Sequence, residues 1–101
     1  RVSVDYRGVK RPKEEKYGLT SQMQRAAVSI SSNIAEGSGR GGSKEYVQFI
    51  HIAIGSACEL ETQLEIALKI NLVSEKVYAV TNQEIVEIKM MLTALRHSLL
   101  R

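Results

Sequence analysis

Tryptophan is absent, and phenylalanine, cysteine and proline occur once each. Aromatic residues make up only 5% of the chain. That scarcity removes much of the material from which strand-and-turn folds are built. The lone cysteine, Cys58, excludes an intrachain disulfide and fits a reducing compartment. It sits in an apolar, helix-patterned stretch, so a buried and unreactive thiol is expected. No apolar run approaches the ~20 residues of a membrane span. The basic start has no apolar segment behind it, so no secretory leader is expected. These absences point to a cytoplasmic protein without a membrane partner.

What is present is an ordinary globular composition: 44% hydrophobic and 25% charged residues in 101 positions, enough for one domain. The net charge is +3. Arg1, Arg7, Lys10, Arg11, Lys13 and Lys16 crowd the start of the chain, opposed there only by Asp5, Glu14 and Glu15. Two readings stand side by side: a solvated tail, and a surface that contacts nucleic acid. Val2, Val4 and Tyr6 alternate with Ser3 and Asp5, a strand-like period of two, before Gly8 and Pro12 interrupt it. Residues 1–16 are therefore expected to form a basic arm, extended or disordered, and residues 17–101 a helical bundle domain.

The first helix is predicted from Tyr17 or Leu19 to about Glu36. Leu19, Met23, Ala26, Ala27, Ile30 and Ile34 recur at three- and four-residue steps and so share one face. Four glycines between Gly37 and Gly42 end it, with Gly37 as candidate left-handed cap. Ser43 is the candidate N-cap of a second helix running to Lys69. The apolar set of this helix covers more than one face, which predicts a central position. Asn71 is placed at its C-terminal cap. Ser74 or Thr81 starts the third helix, whose apolar face carries Ile85, Ile88, Met91, Leu92, Leu95, Leu99 and Leu100. Arg96, His97 and Arg101 gather near its C-terminal end, where the helix dipole favours positive charge. The fold expected is all-α: an antiparallel up-down bundle.

No pattern for catalysis stands out. Gly37 to Lys44 has serine before lysine and follows a helix, the reverse of a phosphate-binding P-loop in both respects. Glu59, Glu61 and Glu65 have no histidine three residues on, as di-metal bundles require. His51 and Cys58 are two helical turns apart, about 10 Å, too far for a nucleophile–base pair. Neither an enzyme, a cofactor nor a metal site is expected. Small residues are a quieter signal. Ser29, Asn33 and Gly37 step by four on the first helix, as do Ala53 and Ala57 on the second, and such stripes let helices approach closely.

Three runs follow one another on the first helix: Tyr17-Gly18-Leu19-Thr20-Ser21-Gln22, Arg25-Ala26-Ala27-Val28-Ser29-Ile30 and Ser32-Asn33-Ile34-Ala35-Glu36-Gly37. A fourth, Gly55-Ser56-Ala57-Cys58-Glu59-Leu60-Glu61-Thr62-Gln63-Leu64, lies on the second. In order and spacing they resemble the bacterial four-helix-bundle family of 23S rRNA intervening-sequence proteins, over about residues 12–100. The resemblance implies a left-handed antiparallel bundle, a homo-oligomer with a pentamer favoured, and association with RNA or DNA through a basic surface. The candidate contacts are Arg7, Lys10, Arg11, Lys13, Lys16, Arg25, Arg40 and Lys44. Two departures qualify it. Ser31 stands where the family usually has proline; interior proline costs about 3 kcal/mol, so the change favours a regular helix. The family's first helix has no counterpart in Arg1 to Arg11, which implies a four-helix-bundle relative with that helix truncated or absent. The expected function is a non-enzymatic, oligomeric, RNA-associated protein. The alternative is a protein-interaction scaffold or accessory subunit that binds no nucleic acid.

Overall fold

The computed structural model describes residues 12–101, with the side chains of Pro12, Lys13 and Glu15 left out of the account. The expected strand-like arm lies outside these residues. Three helices follow in order: α1 (Pro12–Ser38), α2 (Ser43–Lys69) and α3 (Glu75–Leu100). Among the described residues there is no strand. The all-α expectation holds; a fourth helix, whole or truncated, is not part of what is described.

α1 starts earlier than its apolar periodicity suggests. Pro12 to Lys16, expected in the arm, form its first turn. Proline suits that place because its missing N–H is unbonded there anyway and its φ is already helical. α3 is capped by Ser74, whose side chain accepts a hydrogen bond from the Val77 amide at 3.1 Å. Thr81, the rival cap, lies inside the helix and is half-buried.

The ends of α2 also differ from expectation in detail. Its N-cap is Gly42, in extended conformation and without a side-chain bond, so Ser43 is the first helical residue. At the other end Asn71 takes the left-handed conformation, φ 62°. Its amide bonds to the Leu68 carbonyl at 3.1 Å, and that of Leu72 to Ala67 at 2.8 Å. These paired reverse bonds are a Schellman cap, with asparagine in the place glycine usually takes.

α2 is the central element. α1 and α3 both pack on it, but no α1 and α3 backbone positions come within 8 Å of each other among the described residues. The Cα envelope of 51 × 29 × 15 Å fits three rods side by side, at roughly 8–10 Å between axes, and not a closed triangle. The core lies along α2. Ile50, Ala53 and Ala57 are sealed from solvent, and Ile30 of α1 and Leu92 of α3 close over them. Two alanines at the centre leave room for the larger side chains from either flank. Ile50 and Leu64 are the largest side chains wholly inside; each contributes about 1.5–3 kcal/mol by burial.

Candidate nucleic-acid interface

The up-down topology decides which charges become neighbours. α1 ends where α2 begins, and α3 returns to that same end. Arg40 and Lys44 at the α1–α2 turn thus share one end of the layer with Arg96, His97 and Arg101 of α3. The register is fixed by Arg96 Nη1, 3.4 Å from His51 Nδ1 two turns into α2. Only Glu36 and Glu45 oppose these cations nearby in sequence.

The turn that presents them is held by a close helix approach. Gly37 is buried within α1 and does not adopt the left-handed cap conformation expected of it. A Cβ at this position would stand 2.7 Å from Tyr46 Cδ1 and 2.8 Å from Phe49 Cβ. Its glycine is thus required by the neighbouring helix, not by the turn. Beyond it, Arg40 Nη2 donates to Glu36 Oε2 at 2.8 Å, and the guanidinium sits 5.1 Å from the centre of the Phe49 ring. Arg40 and Lys44 are both exposed, and Arg40 is anchored and partly neutralised by Glu36.

The remaining candidates are dispersed. Arg25, exposed midway along α1, donates to Ser21 Oγ at 2.8 Å. Lys16 is half-buried near the opposite end of the layer. Arg7, Lys10 and Arg11 fall outside the described residues, as does the side chain of Lys13. The structure therefore brings Arg40 and Lys44 together and leaves Arg25 and Lys16 apart. It adds Arg96 and Arg101, which sequence reasoning had treated only as dipole partners. Counting two reversals along the chain would have revealed them.

The seam between α1 and α2 carries the small-residue stripes. Ser56 Oγ donates to Ser29 Oγ at 2.8 Å, and Asn33 Nδ2 donates to the Ser29 carbonyl at 2.7 Å and to its hydroxyl at 3.1 Å. Asn33 is thereby satisfied, and Glu36 is solvent-exposed and bound to Arg40.

On the α2–α3 seam, Lys89 Nζ donates to Glu61 Oε1 at 2.8 Å with both side chains about 30% exposed. That hydrogen bond holds the Lys89 ammonium above its ordinary 10.5; desolvation works against it, and nearby Cys58 adds to the rise. Cys58 is exposed, contrary to the buried thiol expected. It belongs to the margin of α2 beside Lys89, outside the stripe of Ile50, Ala53, Ala57 and Leu64, so an apolar neighbourhood in sequence did not mean an apolar one in space. Among the described residues no group of three or more His, Cys, Asp or Glu side chains is arranged for a metal ion, and no helix is long and apolar enough to cross a membrane.

Comparison with curated proteins returns no match. The family model for the 23S rRNA-intervening sequence protein, however, matches residues 6–94 and so takes in all of α1 and α2 and most of α3. The basic end, the Gly37 crossing and the serine pair all lie within or beside that stretch, and the chain belongs to the 23S rRNA-intervening sequence protein family.

Proposed function

We propose that the protein is a non-enzymatic helical-bundle component that assembles with copies of itself and associates with structured RNA. The observation that carries the RNA reading is the gathering of Arg40, Lys44, Arg96 and Arg101 at one end of the layer by its topology. Clustered cations neutralise phosphates, and each contact released by salt steepens the fall of affinity with ionic strength. Family membership supports this reading. Gel shifts with a structured RNA at low salt test it. Binding should weaken steeply as salt rises and weaken further in a Lys44→Ala/Arg101→Ala variant. No shift at low salt, or binding unaltered in the variant, removes the RNA reading.

Self-assembly is supported by exposed apolar side chains on one face of α3, a face that also carries the exposed Glu84 and Glu87. Val77, Val80 and Met91 are 49%, 57% and 65% exposed and lie beside the buried Ile85 and Leu92. A pentamer is the size that the family resemblance implies. Sedimentation equilibrium should give a multiple of the 11.2 kDa chain mass; a single-chain mass at micromolar concentration refutes it. The same face favours the second reading, a scaffold that docks a protein partner's helix without binding nucleic acid.

A further inference from the structure

The layer has two outer edges, one on α1 and one on α3, with α2 between them. Opposite the buried Leu19, Ala26 and Ile30, α1 carries Tyr17, Ser21, Gln24, Val28, Ser31 and Ala35, at alternating steps of four and three residues. Its only charge between Lys16 and Glu36 is Arg25. On the side of α3 turned from α2 stand Val80, Gln83, Glu87, Met90, Ala94 and His97, at alternating steps of three and four. Such spacing, about 3.5 residues on average, holds one stripe of a helix against one neighbouring helix over many turns. Tyr17 and Val28 are 78% and 63% exposed, and Met90 66%. Each edge also has a shallow hollow beside its apolar side chain, between Ser21, Gln24, Arg25 and Val28 on α1 and between Met90, Thr93, Ala94 and His97 on α3.

The hydrogen bonds to α2 fix the relative heights of the two edges. Ser29 meets Ser56, and five residues further along α2 Glu61 meets Lys89. α1 and α2 run antiparallel, so Lys89 stands level with Gln24. Five residues the other way from Ser56, His51 meets Arg96, which stands level with Ile34. Each α3 residue is therefore level with the α1 residue 62 to 65 positions before it. Within that range Val80 matches Tyr17, Glu87 matches Gln24, Met90 matches Val28 and Ala94 matches Ser31. Arg25 comes level with the stretch from Glu87 to Met90. Arg25 donates to Ser21 and Glu87 accepts from Gln83, but neither meets an opposite charge among the described residues.

We propose that the outer edge of α1 in one copy packs, parallel and at equal height, on the outer edge of α3 in a second copy, with Arg25 of the first paired to Glu87 of the second. The contact rests on the self-assembly reading above and names the two surfaces that meet. Within one chain the edges cannot meet, because α2 separates them. The apolar matches, Tyr17 on Val80 and Val28 on Met90, bury side chains that the single chain leaves open. The one cation on the α1 edge reaches a carboxylate on the α3 edge, so the charges complement rather than oppose each other. A two-fold contact of α3 with itself would leave Tyr17, Val28 and Arg25 uncovered. A head-to-tail contact with no step along the helix axes closes into a ring, whereas a step would give an open filament. Parallel copies also set every basic end, with its Arg40, Lys44, Arg96 and Arg101, on the same rim of that ring.

The test uses the full chain with Cys58→Ser, so that introduced thiols are the only ones present. Val28→Cys/Met90→Cys should give a ladder of disulfide-linked chains on a non-reducing gel after mild oxidation. Val28→Cys or Met90→Cys alone should stay single, because in a head-to-tail contact neither position meets its own copy. Arg25→Glu and Glu87→Arg, both at exposed positions, should keep the helical circular dichroism and melt of the parent. Each should weaken assembly several-fold in sedimentation by setting like charges together. Arg25→Glu/Glu87→Arg should recover it, since every contact then regains an opposite pair. A parent that sediments as one chain overturns the self-assembly reading and this contact with it. A parent that assembles, while the cysteine pair gives no ladder and the charge variants assemble as it does, overturns this contact and spares self-assembly. Covalent dimers from Met90→Cys alone show a two-fold contact of α3 and overturn the head-to-tail arrangement.

Discussion

Two glycines show how far a single position depends on what lies across from it. Gly37 faces Tyr46 and Phe49 at distances no real Cβ tolerates, and one of the opposing atoms is a Cβ that cannot swing away. Gly37→Ala should therefore destabilise the protein by about 1–3 kcal/mol through overpacking, which outweighs the ~1 kcal/mol that alanine gains in helix propensity. Gly55, on the exposed side of α2, has nothing within 4 Å of its would-be Cβ. Gly55→Ala should stabilise by roughly 0.5–1 kcal/mol. Urea unfolding of both variants checks the pair: movement of the two midpoints in the same direction would contradict the packing described. In sequence Gly55 lies inside a helical apolar pattern, whereas Gly37 opens a glycine-rich run at a helix end. Gly37 was legible as special, because it ends the stripe of Ser29, Asn33 and Gly37 spaced four apart, but its use was not. A glycine-rich run suggested a turn, and only the partner helix reveals a crossing. Cys58 teaches the same lesson. Apolar Ala57 and Leu60 stand near it alongside Glu59, and which side of α2 is covered depends on where α1 and α3 settle.

At the level of elements, periodicity located three helices well and their ends less well. Ser74 and Thr81 both fit the chemistry of a cap, and local sequence offers no way to choose. The choice is made by Tyr78, half-buried one turn beyond Ser74, and by the Ser74 hydroxyl that closes the first turn. Pro12 interrupts the alternation before it and is also fit to start a turn ahead of Glu14 and Glu15, and it is the first residue of α1. The seam between α2 and α3 was illegible, since residues 28 apart give no local signal. There Lys89 and Glu61 form an ion pair that links the two helices. With its folded pKa raised above 10.5, Lys89 contributes stability that is complete below the unfolded value of about 10.4 and lost as pH climbs through the folded value. The pair is partly solvent-screened, so the contribution is at most about 1 kcal/mol. Urea midpoints measured from pH 9 to pH 11.5 should fall more steeply for the parent than for Glu61→Gln, in which the raised pKa has lost its main cause. Parallel curves would mean that the pair adds nothing to the seam.

For the whole molecule, the open arrangement of α1 and α3 on α2 is what the helical pattern could not settle. The apolar set of α2 covers more than one face and signalled a central helix, and that is its place. The same pattern was compatible with a closed bundle, an open layer, or a layer closed by further copies. The basic end became visible only with the layer in hand, because Arg96 and Arg101 are over fifty residues from Arg40 and Lys44 along the chain. The uncovered α3 face allows assembly to be separated from folding. Val80 and Met91 are 57% and 65% exposed in the single chain, so charging them removes no intrachain core contact of consequence. Leu92, 4% exposed and one residue on from Met91, is core. Val80→Glu/Met91→Glu should therefore keep its helical circular dichroism and its cooperative melt while sedimenting at the mass of one chain. Leu92→Glu should lose both, since an unpaired carboxylate would be forced inside. If the double variant holds its oligomer, subunits meet elsewhere and that face is not their interface. If it unfolds as Leu92→Glu does, those side chains are already covered within one chain. Only an intact, solitary Val80→Glu/Met91→Glu chain agrees with an α3 face that is finished by another molecule.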